Sequence, residues 1–155
     1  RFMFKVLVDY PNSDEELKIL NRMSKINTIL EQEAVAKSAN ILSARKVIDQ
    51  IHISENIQKY IVSIVLASRN PQDYKLNDLC AFINRGASPR ATIFFATASK
   101  ANAFLNKRSY VIPDDVRSVG KAIMRHRISL TYEAEAEEIT TEHIIQRIYE
   151  SVPTP

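Results

Sequence analysis

Two glycines, Gly86 and Gly120, are all that this chain of 155 residues contains. Tight turns, β-bulges and glycine-rich phosphate loops depend on glycine's access to left-handed backbone, so a sandwich, a barrel or a nucleotide-cradling loop would call for more. Helices joined by short connections are what the scarcity leaves. The hydrophobic class supplies 45% of the residues, enough at this length to bury one sizeable core. The expected fold is mainly α, a helical bundle with one short strand at its N-terminal end.

That strand is Phe2-Met3-Phe4-Lys5-Val6-Leu7-Val8, rich in β-formers and closed by the turn-like Asp9-Tyr10-Pro11-Asn12. A single strand cannot satisfy its own backbone donors and acceptors, so its sheet is expected in another chain or in sequence preceding Arg1. Ser13 and Glu16 stand at capping-box spacing before Leu17, Leu20 and Met23, which predicts a helix to about Ser24. From Lys25 to Asn40 only Ile26, Ile29 and Leu30 are clear anchors, and the segment reads as a mixed connection. A short helix is expected from Ser43 through Val47, Ile48 and Ile51. Ser54 then caps a helix that carries Ile57, Tyr60, Ile61, Ile64, Val65 and Ala67 toward the core. Asn70-Pro71-Gln72-Asp73 ends it, and a loop with extended character around Leu79 to Ile83 runs to Gly86.

The most informative stretch is Gly86-Ala87-Ser88-Pro89-Arg90 and the alanine-rich run to Leu105. Ser88 is placed as N-cap and Pro89 as first helical residue, where a missing N–H costs nothing. Alanines around the helix predict close packing on more than one side, as in a central helix. Arg90 falls in the first turn, opposite in sign to what a helix N-terminus favours by about 0.3–1 kcal/mol. An anion nearby would resolve the conflict, and an ordinary ion pair with a carboxylate is the plainer alternative. Pro113-Asp114-Asp115 starts a further helix with proline and acids at its positive end, carrying Val116, Val119, Ala122, Ile123 and Met124 to Arg125-His126-Arg127. Those basic residues either cap the helix carbonyls or touch a neighbouring subunit. Ile128 to Tyr132 is read as an extended exit, Glu133 to Glu138 as an acidic surface link, and Thr140 as the start of a last helix carrying Ile144, Ile145, Ile148 and Tyr149.

Lysine and arginine number 21 against 18 acids, a net charge of +3. Basic residues are interleaved with acids rather than banked on one stripe, so charge lends nucleic-acid binding little support. Cys80 is the single cysteine and lies in the apolar run Leu79-Cys80-Ala81-Phe82, which reads as a buried structural thiol. No apolar stretch approaches the ~18 residues that span a bilayer, and Arg1-Phe2-Met3-Phe4-Lys5 lacks the long apolar region of a signal peptide, so a soluble cytoplasmic protein is expected. His52, His126 and His143 are too scattered for a metal site, and no nucleophile–base arrangement follows from spacing.

Arg1-Phe2 before a strand and Tyr10-Pro11, Gly86-Ala87-Ser88-Pro89-Arg90-Ala91, Tyr110-Val111-Ile112-Pro113-Asp114-Asp115-Val116 and Arg125-His126-Arg127 occur in one order along nearly the whole chain. In that order and approximate spacing the sequence resembles MoxR-family AAA+ ATPases. The resemblance implies a remnant of the ATPase core at 1–12, connecting helices at 13–75 and a helical lid at 76–155. It implies that Arg90 is the sensor-2 arginine reaching the terminal phosphates, positioned by Ser88 and Pro89, and that Arg1 acts as an arginine finger across a subunit boundary. It also implies ATP and Mg2+ in the full-length protein, an upstream core, hexameric neighbours, chaperone-like remodelling and a von Willebrand factor A-type partner. No Gly-x-x-x-x-Gly-Lys-Ser/Thr loop and no strand ending in paired acids occurs here, so these residues alone are expected neither to hydrolyse ATP nor to hold it tightly. A helical module binding an acidic protein or nucleic acid, without nucleotide chemistry, is the competing reading.

Overall fold

A computed structural model of the chain describes residues 1–24 and 33–155. Ile26, Ile29 and Leu30 lie outside the described residues. The first helix, α1 (Ser13–Met23), is capped one position earlier than the sequence spacing proposes. Asn12 Oδ1 accepts from the Glu15 N–H and Glu15 Oε2 accepts from the Asn12 N–H, both at 3.0 Å. Asparagine caps as well as serine does, and its pairing with Glu15 satisfies two otherwise orphaned donors. The helix buries none of its residues: Leu17, Ile19, Leu20 and Met23 are all exposed. Helix α2 (Ser38–Gln50) begins five residues before the expected Ser43, without a side-chain cap.

Helix α3 (Glu55–Ala67) is the first element of the core. Ser54 Oγ accepts from the Ile57 N–H, and Ile57, Tyr60, Ile61, Ile64, Val65 and Ala67 are buried, the positions its periodicity predicts. Two short 3₁₀ turns at Pro71–Tyr74 and Asn77–Ala81 follow. They occupy most of the expected loop because each closes with i→i+3 bonds in a few residues. Strand β1 (Ile83–Arg85) pairs antiparallel with β2 (Ser129–Leu130), so the extended stretches around Ile83 and Ile128 to Tyr132 are partners. Cys80 is exposed, not buried: its 3₁₀ turn directs Leu79 inward and leaves the next residue facing solvent.

Helix α4 (Pro89–Leu105) packs against α2, α3 and α5 (Pro113–Met124), the central place its alanines predict. Ala91, Phe95, Ala98, Ser99 and Ala103 are buried in it. In α5, a Cβ at Gly120 would land on the Tyr149 hydroxyl and 2.8 Å from Phe95 Cε1, so glycine is required there for close approach. The acidic stretch after β2 is not wholly a link: Thr131 caps α6 (Tyr132–Ala136), which buries Ala134. The last helix, α7 (Thr141–Ser151), has Thr140 as cap and buries Ile144, Ile145, Ile148 and Tyr149 as expected. Apart from Ser99 and Ala134, these buried residues belong to one core that runs from Ile51 to Val152.

Residues 2–8, expected as a strand, carry no strand assignment. The segment has no neighbouring strand among the described residues, and part of its backbone is met otherwise: the Lys5 N–H donates to Ala122 O at 2.9 Å, and side chains of the Arg125-His126-Arg127 run meet the carbonyls of Phe2, Met3 and Lys5.

The α4–α5 connection closes on Asp115, which is 1% exposed. Arg108 grips both of its oxygens, at 2.6 and 2.7 Å. Asn102 Nδ2 donates to it at 2.8 Å and the Ile112 N–H at 2.9 Å. Burial pushes the Asp115 pKa up, but the bonds from Arg108, Ile112 and Asn102 outweigh it and hold the carboxyl below its ordinary value. A depressed folded-state pKa contributes stability above the unfolded-state value of about 3.9 and loses it as pH falls through the folded value. Asp115→Asn is therefore expected to lower stability at pH 7 by about 2 kcal/mol and to flatten the loss of stability in acid, read by urea denaturation across pH 2–7. Equal pH dependence in the two proteins would remove Asp115 from acid unfolding.

With glycine so scarce, left-handed backbone falls on Lys75, Lys107 and Glu138, at φ of 59°, 57° and 56°. A side chain there costs roughly 1–2 kcal/mol before the entropy of a replacement glycine is counted. Lys107→Gly is expected to raise stability by about 0.5–1 kcal/mol, measured as a higher urea midpoint.

Candidate functional site

The start of α4 is held from the end of α3. Ser68, fully buried, donates its hydroxyl to Val65 O at 2.7 Å and accepts the Ala87 N–H at 3.0 Å, while Arg69 Nε donates to Ala87 O at 2.5 Å. Gly86 lies so close to this corner that a Cβ would strike Ser68 O and sit 2.8 Å from the Arg69 N. The glycine and alanine of Gly86-Ala87-Ser88-Pro89-Arg90 are thus explained by backbone packing, and the motif delivers its last three residues to the surface. Ser88 has N-cap dihedrals, φ −74° and ψ 166°, but its hydroxyl makes no capping bond. Pro89 occupies the first helical position.

Arg90 is exposed in the first turn, and among the described residues no hydrogen bond or ion pair holds it. The plainer alternative, a carboxylate partner, is not what the described residues provide. A second cation lies within its electrostatic reach: burial, and then the charge of Arg90, lower the pKa of Arg127. Arg127 rests with its guanidinium 5.0 Å from the Phe94 ring centroid, one turn along α4. Beside them Arg85, Gly86, Ser88, His126, Arg127, Ile128 and Ser129 line an open pocket of about 360 Å3 that contains no acidic side chain. Burial, countered by the bond to Phe2 O and reinforced by Arg127, Lys5 and the N-terminal amine, lowers the His126 pKa, so the imidazole is neutral at pH 7.

Of the basic run after α5, Arg127 Nη1 donates to Ile123 O at 2.6 Å, capping the helix. Arg125 Nη1 donates to Lys5 O at 3.1 Å. Its Nε lies 2.7 Å from Glu142 Oε1, a charge contact without the direction of a hydrogen bond. Arg1 is exposed and takes no hydrogen bond or ion pair among the described residues. Sequence reasoning missed Ser68, Arg69 and Phe94. The partners that tie them across the fold are 18 or more residues away, and only Phe94's spacing from Arg90 carried a signal.

The donor set fits a phosphate: an unpartnered guanidinium at the positive end of a long helix, with further cations around it. The described residues hold no group of three His, Cys, Asp or Glu that could bind a metal. No helix among them is long and apolar enough to cross a membrane.

Residues 78–148 match the AAA lid domain family. Over all 155 residues the chain is 34% identical to the chaperone MoxR1 of Mycobacterium tuberculosis, spanning 41% of it, and 32% identical to the uncharacterised YeaC of Bacillus subtilis, spanning 46%. A crystal structure of a Cytophaga hutchinsonii protein assigned as an ATPase superposes on the whole chain with a TM-score of 0.94 at 39% identity, and 47% of that protein is covered. The fold and the basic helix start, taken with these matches, define an AAA lid domain. Within that class the chain belongs to the MoxR-type AAA+ family. It spans less than half the length of each of these relatives.

Gly86→Ala is expected to destabilise the domain by about 2–3 kcal/mol, because the atoms it meets are backbone and cannot yield. Thermal unfolding checks this, and a wild-type midpoint would show that the corner relaxes freely.

Proposed function

We propose that this chain is the nucleotide-sensing lid of a MoxR-type ATPase, with Arg90 as the residue that reaches the terminal phosphates of ATP. The observation that carries the reading is the exposed Arg90 in the first turn of α4, without a partner among the described residues and held in place by the Ser68–Ala87 corner. A guanidinium there donates hydrogen bonds and neutralises phosphate charge, so that the nucleotide's state biases how the lid sits. Ser88 and Pro89 set the helix start from which Arg90 projects. On this reading residues 1–12 finish the ATPase core, 13–75 connect to the lid, and 76–155 form it. ATP and its Mg2+ are held mainly by the upstream core, the working assembly is a hexameric cytoplasmic ring, and Arg1 acts across a subunit boundary as a finger. The output is chaperone-like maturation of partner complexes, including one with a von Willebrand factor A-type fold.

The test is steady-state ATP hydrolysis by the full-length protein. Arg90→Ala is expected to lower kcat at least about tenfold, the loss of one charged transition-state contact. Unchanged turnover would remove Arg90 from the mechanism. A second reading, a helical interaction module, draws on the exposed Leu17, Ile19, Leu20 and Met23 of α1. Salt-sensitive binding of DNA or an acidic protein that survives Arg90→Ala would favour it.

A further inference from the structure

Arg127 touches both segment 2–5 and α4. Its Nη1 donates to Met3 O at 3.3 Å as well as to Ile123 O, and its Nη2 donates to Phe2 O. The same guanidinium lies over Phe94. Its neighbours hold the same segment: Arg125 through Lys5 O, and His126 Nε2 through Phe2 O at 3.3 Å. Met3 also packs against the core, and Lys5 donates to Ala122 O. Apart from Met3, the segment is gripped by its backbone, so the grip does not depend on which side chains it carries.

An arginine suits this place. Its planar fork offers five donors in fixed directions and a face that stacks on an aromatic ring, whereas a lysine offers one flexible point charge. Satisfying carbonyls on two separate segments while stacking on a third uses both properties.

The geometry points to Arg127 as a positioning residue: it ties segment 2–5 to the first turns of α4, so that the direction of Arg90 follows the segment with which the ATPase core ends on that reading. This inference rests on the Arg90 reading above. When Arg90 engages a phosphate, the pull on α4 passes through Phe94 and Arg127 to the backbone of residues 2–5. Lid closure and core position thereby become one movement. Three of the five Arg127 donors are engaged by carbonyls, which holds its guanidinium to the tie rather than to the nucleotide.

Two measurements on the full-length protein separate this from the Arg90 reading. Amide hydrogen exchange without nucleotide reads the tie alone. In Arg127→Gln the amides of residues 3–6 are expected to exchange about tenfold faster, from losing charged hydrogen bonds, and in Arg127→Lys by less. Steady-state kinetics read the coupling: Arg127→Gln is expected to lower kcat about tenfold while KM for ATP stays within about twofold, because Arg90 is intact but misdirected. Phe94→Leu keeps most of the packing, removes the stacking face and should show the same split more weakly; it serves if Arg127→Gln does not fold. Unchanged exchange at residues 3–6, or faster exchange with wild-type kcat, overturns the positioning role. Faster exchange in Arg127→Gln beside wild-type turnover in Arg90→Ala would strike the Arg90 reading and the coupling with it, leaving Arg127 as a structural tie alone.

Discussion

The buried carboxylate of Asp115 decides how the two central helices meet. It joins Asn102 near the end of α4, Arg108 in the connection and the backbone at the start of α5, so three pieces of chain share one anion. A charge this enclosed is tolerated because each of its oxygens is bonded; remove the partners and its desolvation would dominate. Pinned at this end, the hairpin runs back antiparallel along its alanines. Its other end then brings the start of α4, with Arg90 and Phe94, against the exit of α5, with Arg127. The site is thus placed by an interaction at the opposite end of the same pair.

Small residues make that arrangement possible. Ala91, Ala98 and Ala103 allow neighbours to approach α4 from several sides, and Gly120 lets Phe95 and Tyr149 fill the space over α5. Gly86 does the same for the corner between α3 and α4. Both glycines serve close approach and neither serves a left-handed turn, so lysines and a glutamate carry that conformation. Rigid packing on one side of Arg90 and open solvent on the other leave its guanidinium the free element of a fixed frame.

Charge is distributed in the same spirit. Cations gather at the Arg85, Arg90 and Arg127 end without acids among the pocket's lining, while two acids are engaged elsewhere: Glu142 faces Arg125, and Asp78 pairs with Arg147 at 2.8 Å. Arg117 is committed too, to Tyr60 at 2.9 Å and to Thr154 at 2.7 Å, which fastens the C-terminal residues over α3. A basic surface that persists after such pairing stands ready for an anion.

The helices with a strong apolar period are legible in the amino-acid sequence by itself. For α3 and α7 the buried residues are those the spacing names, because a 3.6-residue repeat puts them on one face wherever the partner lies. The same local logic places Ser88 and Pro89 at a helix start, since cap and proline preferences act within a few residues. Local reading fails where a neighbour far along the chain decides. β-propensity in residues 2–8 comes to nothing as strand because no strand lies beside it among the described residues, and basic side chains from the end of α5 take its carbonyls instead. Cys80 faces outward because a 3₁₀ turn, not an apolar run, sets its direction. The freedom of Arg90, the grip of Arg127 and the burial of Asp115 likewise belong to the packed chain, for each depends on which groups from remote positions fill the space around it, and spacing along a sequence does not encode that.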